Sequence, residues 1–114
     1  MPKRKERVAP PPPAGGWDIR YANNDAVKGW EQICAVAAAN ARTAWEKIIT
    51  DPRQRDSRQH PLKGSLGHRN VNGIDMEQWQ YEVTAGGRLW YCIDDKARTI
   101  WLTDAHTGHP KATE

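Results

Sequence analysis

The sequence predicts an α+β domain in which an N-terminal strand and a helical region pack on one face of a small, mainly antiparallel, four-stranded sheet. Three observations carry this prediction. Residues 17–22 alternate apolar and polar side chains; apolar residues then recur at three and four from Val27 to Ile48; three further strand-like runs follow after residue 78. Helices gathered ahead of a run of strands bury their stripe against one sheet face, which is the α+β arrangement.

The elements follow in chain order. "APPPPAGG" (9–16) removes backbone donors and adds chain entropy, so residues 1–16 are expected to form a disordered basic arm and 17–114 the folded domain. In "WDIRYA" (17–22), Trp17, Ile19 and Tyr21 share one face of a strand. Asn23, Asn24 or Asp25 can then cap a helix whose stripe runs through Val27, Trp30, Ile33, Cys34, Ala37, Ala41, Ala44, Trp45 and Ile48. The pattern suits one long helix, or two broken near 34–36, and Pro52 ends it. Residues 53–76 are polar and carry Gly64, Gly67 and Gly73, so they read as loop. In "WQYEVT" (79–84), Trp79, Tyr81 and Val83 oppose Gln80 and Glu82. In "RLWYCI" (88–93), Leu89, Tyr91 and Ile93 oppose Arg88, Trp90 and Cys92. "TIWLTDA" (99–105) is apolar on both faces. With "AGG" and "DDKAR" as turns, the three runs form a meander with a core face and a polar face. Trp17, Trp30, Trp45 and Trp79 belong to the core.

A chain of 114 residues has room for one domain with a modest core. No run approaches the roughly 18 apolar residues of a membrane span, and the N-terminus lacks a signal-peptide stretch, so a cytoplasmic protein with no membrane role is expected. Cys34 and Cys92 form neither a CxxC nor a zinc pattern, and no metal or cofactor is expected. The net charge of +3 is uneven. Lys3, Arg4, Lys5 and Arg7 against Glu6 give residues 1–7 a net +3, leaving the remainder neutral. Within that remainder, Arg53, Arg55, Arg58, Lys63 and Arg69 against Asp56 give residues 53–69 a net +4. Two basic segments on a neutral body suit a polyanion, whose counterions they release, and equally suit a solvated loop and tail.

The ordered series "NDAVKGW", "TDP", "HPLKGSLG", "WQYEV", "GGRLWYCIDD" and "TGHPK" resembles the RelE/ParE toxins of bacterial type II toxin–antitoxin systems over residues 17–111. Those toxins run strand, two helices, a P-L-K-G motif and a meander carrying R-L-V-Y. The resemblance implies a toxin neutralised by a cognate antitoxin. RelE-like members cleave messenger RNA on the ribosome, through attack of a 2′-hydroxyl on the adjacent phosphate. ParE-like members inhibit DNA gyrase and cut nothing. The cleavage needs a general base, a general acid and cations around the phosphorane.

Arg88 stands where the family's R-L-V-Y arginine contributes to cleavage. Where some members carry two catalytic lysines, this chain has Gln80 and Glu82, and the family's frequent terminal tyrosine is missing. Other members pair a glutamate with a histidine, a scheme that Glu82 (or Glu77) and His109 match. The resemblance therefore implies Arg88, His109 and Glu82 as the catalytic set, with His106 the next histidine. An imidazole, with its ordinary value near about 6.5, offers both protonation states near neutrality. Lys63, Arg69, Gln80, Lys111 and His106 are the implied RNA contacts. Trp90 on the polar face is either a platform on which a base stacks or a packed residue.

Overall fold

The computed structural model describes residues 3–8 and 15–108. Strand β1 (Asp18–Tyr21) leads into helices α1 (Asn24–Val36) and α2 (Ala38–Thr50). Five strands follow: β2 (Gln59–Pro61), β3 (His68–Val71), β4 (Ile74–Glu82), β5 (Arg88–Asp94) and β6 (Thr99–His106). The sheet order is β1-β6-β5-β4-β2, with β3 paired to the first half of β4. Only β1 and β6 pair in parallel; the other pairs are antiparallel. The chain is thus α+β with two helices and a mixed sheet. The four strands expected from the sequence are present, and β2 and β3 are added to them from the region read as loop.

Alternation sorts the meander as the sequence predicts. Trp79, Tyr81, Val83, Leu89, Tyr91, Ile93, Ile100, Leu102 and Ala105 join Ile19 and Tyr21 in one core with Trp30, Ile33, Ala41, Ala44 and Ile48 of the helices. Trp45 packs at the edge of that core, partly exposed. Asn23 caps α1 by accepting from the Ala26 amide at 2.8 Å. The helical region is two helices, parted at Ala37, whose ψ of 57° leaves the helical range. No proline or glycine marks this break. A single helix over 24–50 would run about 40 Å, whereas β4, at nine residues, runs only about 30 Å. The fold in the helical hairpin lets both stripes bury against one sheet.

Residues 3–8, expected within a disordered arm, instead lie along β1. The Val8 amide donates to the Ile19 carbonyl at 2.7 Å, and Tyr21 donates to Glu6 at 3.0 Å. Arg7 grips both carboxylate oxygens of Asp18, at 2.6 and 3.2 Å. A strand edge offers unpaired backbone groups, and this segment satisfies those of β1. Residues 9–14 of the expected arm lie outside the described residues.

The outer face carries a second, smaller cluster of Val71, Met76 and Cys92, with Ala22 and Trp101 against it. The β3–β4 hairpin covers it, turning at Asn72 (φ 54°) and Gly73 (φ 83°). An Asn-Gly pair with both residues at positive φ suits a tight hairpin. Cys92 is fully buried, and burial pushes its thiol up to about 12. Cys34 is half-buried. Thiolate is the reactive species, so alkylation near neutral pH is expected to modify native Cys34 slowly and Cys92 only after unfolding. Intact mass before and after denaturation reads this; rapid native labelling of Cys92 would show that the hairpin opens.

Candidate active site

Register brings three chemistry-bearing residues into line on the outer face. Glu82 of β4 is directly opposite Arg88 of β5, and Arg88 is directly opposite His106 of β6. Neighbouring strands lie about 4.8 Å apart. A carboxylate and an imidazole therefore flank a guanidinium, separated from each other by two strand spacings. None of the three enters an ion pair among the described residues, even though Glu82 and Arg88 face one another. Arg88 and His106 are exposed and Glu82 is half-buried.

One pleat along, a second row crosses the same face. His60 of β2 pairs with Gln80, Gln80 with Trp90, and Trp90 with Asp104. The Trp90 indole donates to Gln80 Oε1 at 2.9 Å, and Gln80 Nε2 lies 3.5 Å from His60 Nε2. His60 Nδ1 is 3.1 Å from the Pro61 carbonyl. One assignment satisfies all three contacts: the His60 proton sits on Nδ1, and Nε2 accepts from Gln80. Trp90 is thereby held by its polar edge. A bulge where Trp90 gives way to Tyr91 inserts Thr103, whose hydroxyl donates to Gln78 Oε1 at 2.8 Å.

The turn before Arg88 is built for close approach. Gly87 donates to Thr84 Oγ1 at 2.8 Å. Gly108 (φ +86°) lies so near that a Cβ there would sit 2.0 Å from the Gly86 carbonyl carbon. Only glycine accommodates both demands. The chain leaving β6 therefore touches the Arg88 end of the face. His109 and Lys111, expected as general acid and RNA contact, lie outside the described residues. Within them, the histidine in line with Glu82 and Arg88 is His106.

The remaining expected residues fall as follows. Arg69 pairs with Asp104 at 2.6 Å, so its charge is already partnered. Lys63 is exposed beside an open groove that it lines with Arg55, His60, Pro61 and Leu62. Glu77, the alternative base, accepts from Arg53 Nε and Nη2 at 2.9 and 3.0 Å and from the Trp79 indole at 2.8 Å. Arg53 chiefly holds its carboxyl below the usual carboxylate range, which suits an anchor rather than a proton acceptor.

Two residues were missed by the sequence reading. Strand β2 carries His60 into the second row and places Arg58 beside Glu82, whose amide donates to the Arg58 carbonyl at 2.7 Å. The buried Gln59 between them sets this position, donating to the Asp51 carbonyl and the Tyr91 hydroxyl, each at 3.0 Å. Among the described residues, no group of three or more His, Cys, Asp or Glu is placed to hold a metal ion. No helix among them is long and apolar enough to cross a membrane. No protein-family model matches the chain, and no curated protein matches it.

Proposed function

We propose that the chain is a RelE-like toxin of a type II toxin–antitoxin system, acting in the cytoplasm as a ribosome-dependent endoribonuclease. The observation that carries this reading is the row of Glu82, Arg88 and His106 in cross-strand register, free of ion pairs among the described residues. Glu82 takes the proton of a ribose 2′-hydroxyl as its oxygen attacks the adjacent phosphorus. Arg88, between the two, pairs with the non-bridging oxygens as charge builds on them. The bond from phosphorus to the 5′-oxygen breaks, and His106 gives that oxygen its proton. The products are a 2′,3′-cyclic phosphate and a free 5′-hydroxyl. Acid and base on opposite sides of the phosphate are what an in-line displacement needs. His109 and Lys111 of the family-like "TGHPK" are further candidates for the acid and for a phosphate contact.

The antitoxin's seat in this reading is the apolar groove of about 560 Å³ lined by Val8, Trp30, Cys34, Ala38, Ala41, Arg42 and Trp45. Expression of the chain alone is expected to arrest growth, with cuts mapping inside translated messages, and co-expression with the neighbouring gene's product is expected to relieve it. Growth arrest with intact messages and damaged DNA would assign the ParE-like, gyrase-inhibiting alternative. Unimpaired growth with abundant folded protein would remove the toxin reading.

A further inference from the structure

A second groove opens on the helix side of the sheet edge, between α2 and the segment that leads into β2. It holds about 490 Å³ and is lined by Asn40, Thr43, Lys47, Ser57, Arg58 and Tyr81, among others. Asn40, Thr43 and Lys47 recur at helical spacing, so one face of α2 forms a wall. The groove is preformed: Asn40 donates to the Val83 carbonyl at 3.0 Å and pins α2 to the end of β4. Its two cations, Lys47 and Arg58, enter no ion pair among the described residues. The acid that also lines the groove, Asp56, is within electrostatic reach of Lys47 but turns its oxygens to the chain that leads into β2. It accepts from the Arg58 and Gln59 amides at 2.8 and 2.9 Å and from Gln54 at 3.3 Å. Hydroxyls of Thr43 and Ser57 complete a wall of donors suited to phosphate oxygens.

Arg58 belongs to both places. Its guanidinium donates to the Glu82 carbonyl at 3.1 Å, so it stands at the end of the row that holds Arg88. We propose that this groove is a phosphodiester-binding subsite, which takes the backbone of a single-stranded RNA that passes round the sheet edge at Arg58 from the phosphate held on Arg88. The inference rests on the ribonuclease reading and extends it, because the substrate must then continue past the cut rather than end there. A polar groove with two cations, one of them at the sheet edge next to Glu82, favours a nucleic acid strand over an acidic polypeptide.

The test uses the full chain and a fluorescent single-stranded oligonucleotide of mixed sequence with every ribose 2′-O-methylated, which binds without being cut. Anisotropy titrations across salt concentrations give the slope of log K against log salt. Lys47→Ala and Arg58→Gln are each expected to weaken binding severalfold and flatten that slope by about 0.7, the single-strand value per phosphate contact. Lys28→Ala on α1 is expected to change neither. Lys47→Gln repeats the first variant with a longer side chain, and circular dichroism confirms that each variant is folded. If Arg88→Ala weakens binding but both Lys47 variants match wild type, the groove is not a subsite and the ribonuclease reading stands. If no variant matters, or the wild type does not bind, the subsite falls, and cleavage on purified ribosomes decides the ribonuclease reading separately. Displacement by poly-glutamate at lower concentration than by unlabelled RNA would give the groove to an acidic polypeptide and overturn the proposal.

Discussion

Arg88→Ala is expected to lower the single-turnover rate of message cleavage by about 10²–10³, with little change in stability. The side chain is exposed, and no ion pair among the described residues depends on it. In the proposed reaction, its position between Glu82 and His106 is where negative charge would concentrate as the 2′-oxygen attacks. One preorganised donor to such charge is typically worth about 2.7–4 kcal/mol of barrier. Arg88→Lys is expected to recover part of the rate only, because an ammonium is a point charge without the guanidinium's paired donors. His106→Gln is expected to cost about 10²–10⁴ as loss of the acid. If His106→Gln leaves the rate within about threefold while His109→Gln abolishes it, the acid is the histidine beyond β6. A substrate with a good leaving group at the 5′-oxygen should rescue whichever histidine variant lacks the acid, and should not rescue Arg88→Ala.

The second large effect concerns stability. Gly29→Ala, within α1, is expected to destabilise the chain by about 3 kcal/mol or more, although alanine is the better helix former by roughly 1 kcal/mol. A Cβ at Gly29 would stand 1.9 Å from the Ala105 carbonyl oxygen and 2.7 Å from its carbon, both backbone atoms of β6. Neither has a rotamer to yield, so helix and strand must part, and Ala26, Trp30 and Ile33 lift from the core with them. Because β6 also carries His106, cleavage is expected to fall with stability. Gln32→Ala, exposed on the same helix, is the control and is expected to stay within about 0.5 kcal/mol. Thermal melting reads the difference at roughly 4–8 °C per kcal/mol. A Gly29→Ala variant that melts with the wild type would mean that α1 does not press on β6 as described.

Strands β4 and β5 were legible because their alternation is strict: once Trp79, Tyr81, Leu89 and Tyr91 face the core, Gln80, Glu82, Arg88 and Trp90 must face outward. Strand β2 was not legible. Arg58, Gln59, His60 and Pro61 show no apolar alternation, and the buried residue among them is a glutamine held by backbone and phenol partners rather than by hydrophobic burial. The groove beyond Arg58 was hidden for the same reason. The β3–β4 hairpin had a signal in Asn72-Gly73, but His68, Arg69 and Asn70 before it are polar, and their strand is fixed by pairing with β4. His106 was placed second to His109 because family likeness aligns motifs, whereas cross-strand register depends on the bulge at Trp90 and Tyr91, which no residue type announces.

The central claim is that the row of Glu82, Arg88 and His106 performs RNA cleavage. Its most direct test is end-group analysis of message bound in the A site of purified ribosomes after a single turnover with the wild-type chain. The account predicts a discrete cut leaving a 2′,3′-cyclic phosphate and a 5′-hydroxyl, lost with Arg88→Ala. Intact message under those conditions, or a cut leaving a 5′-phosphate, would contradict it.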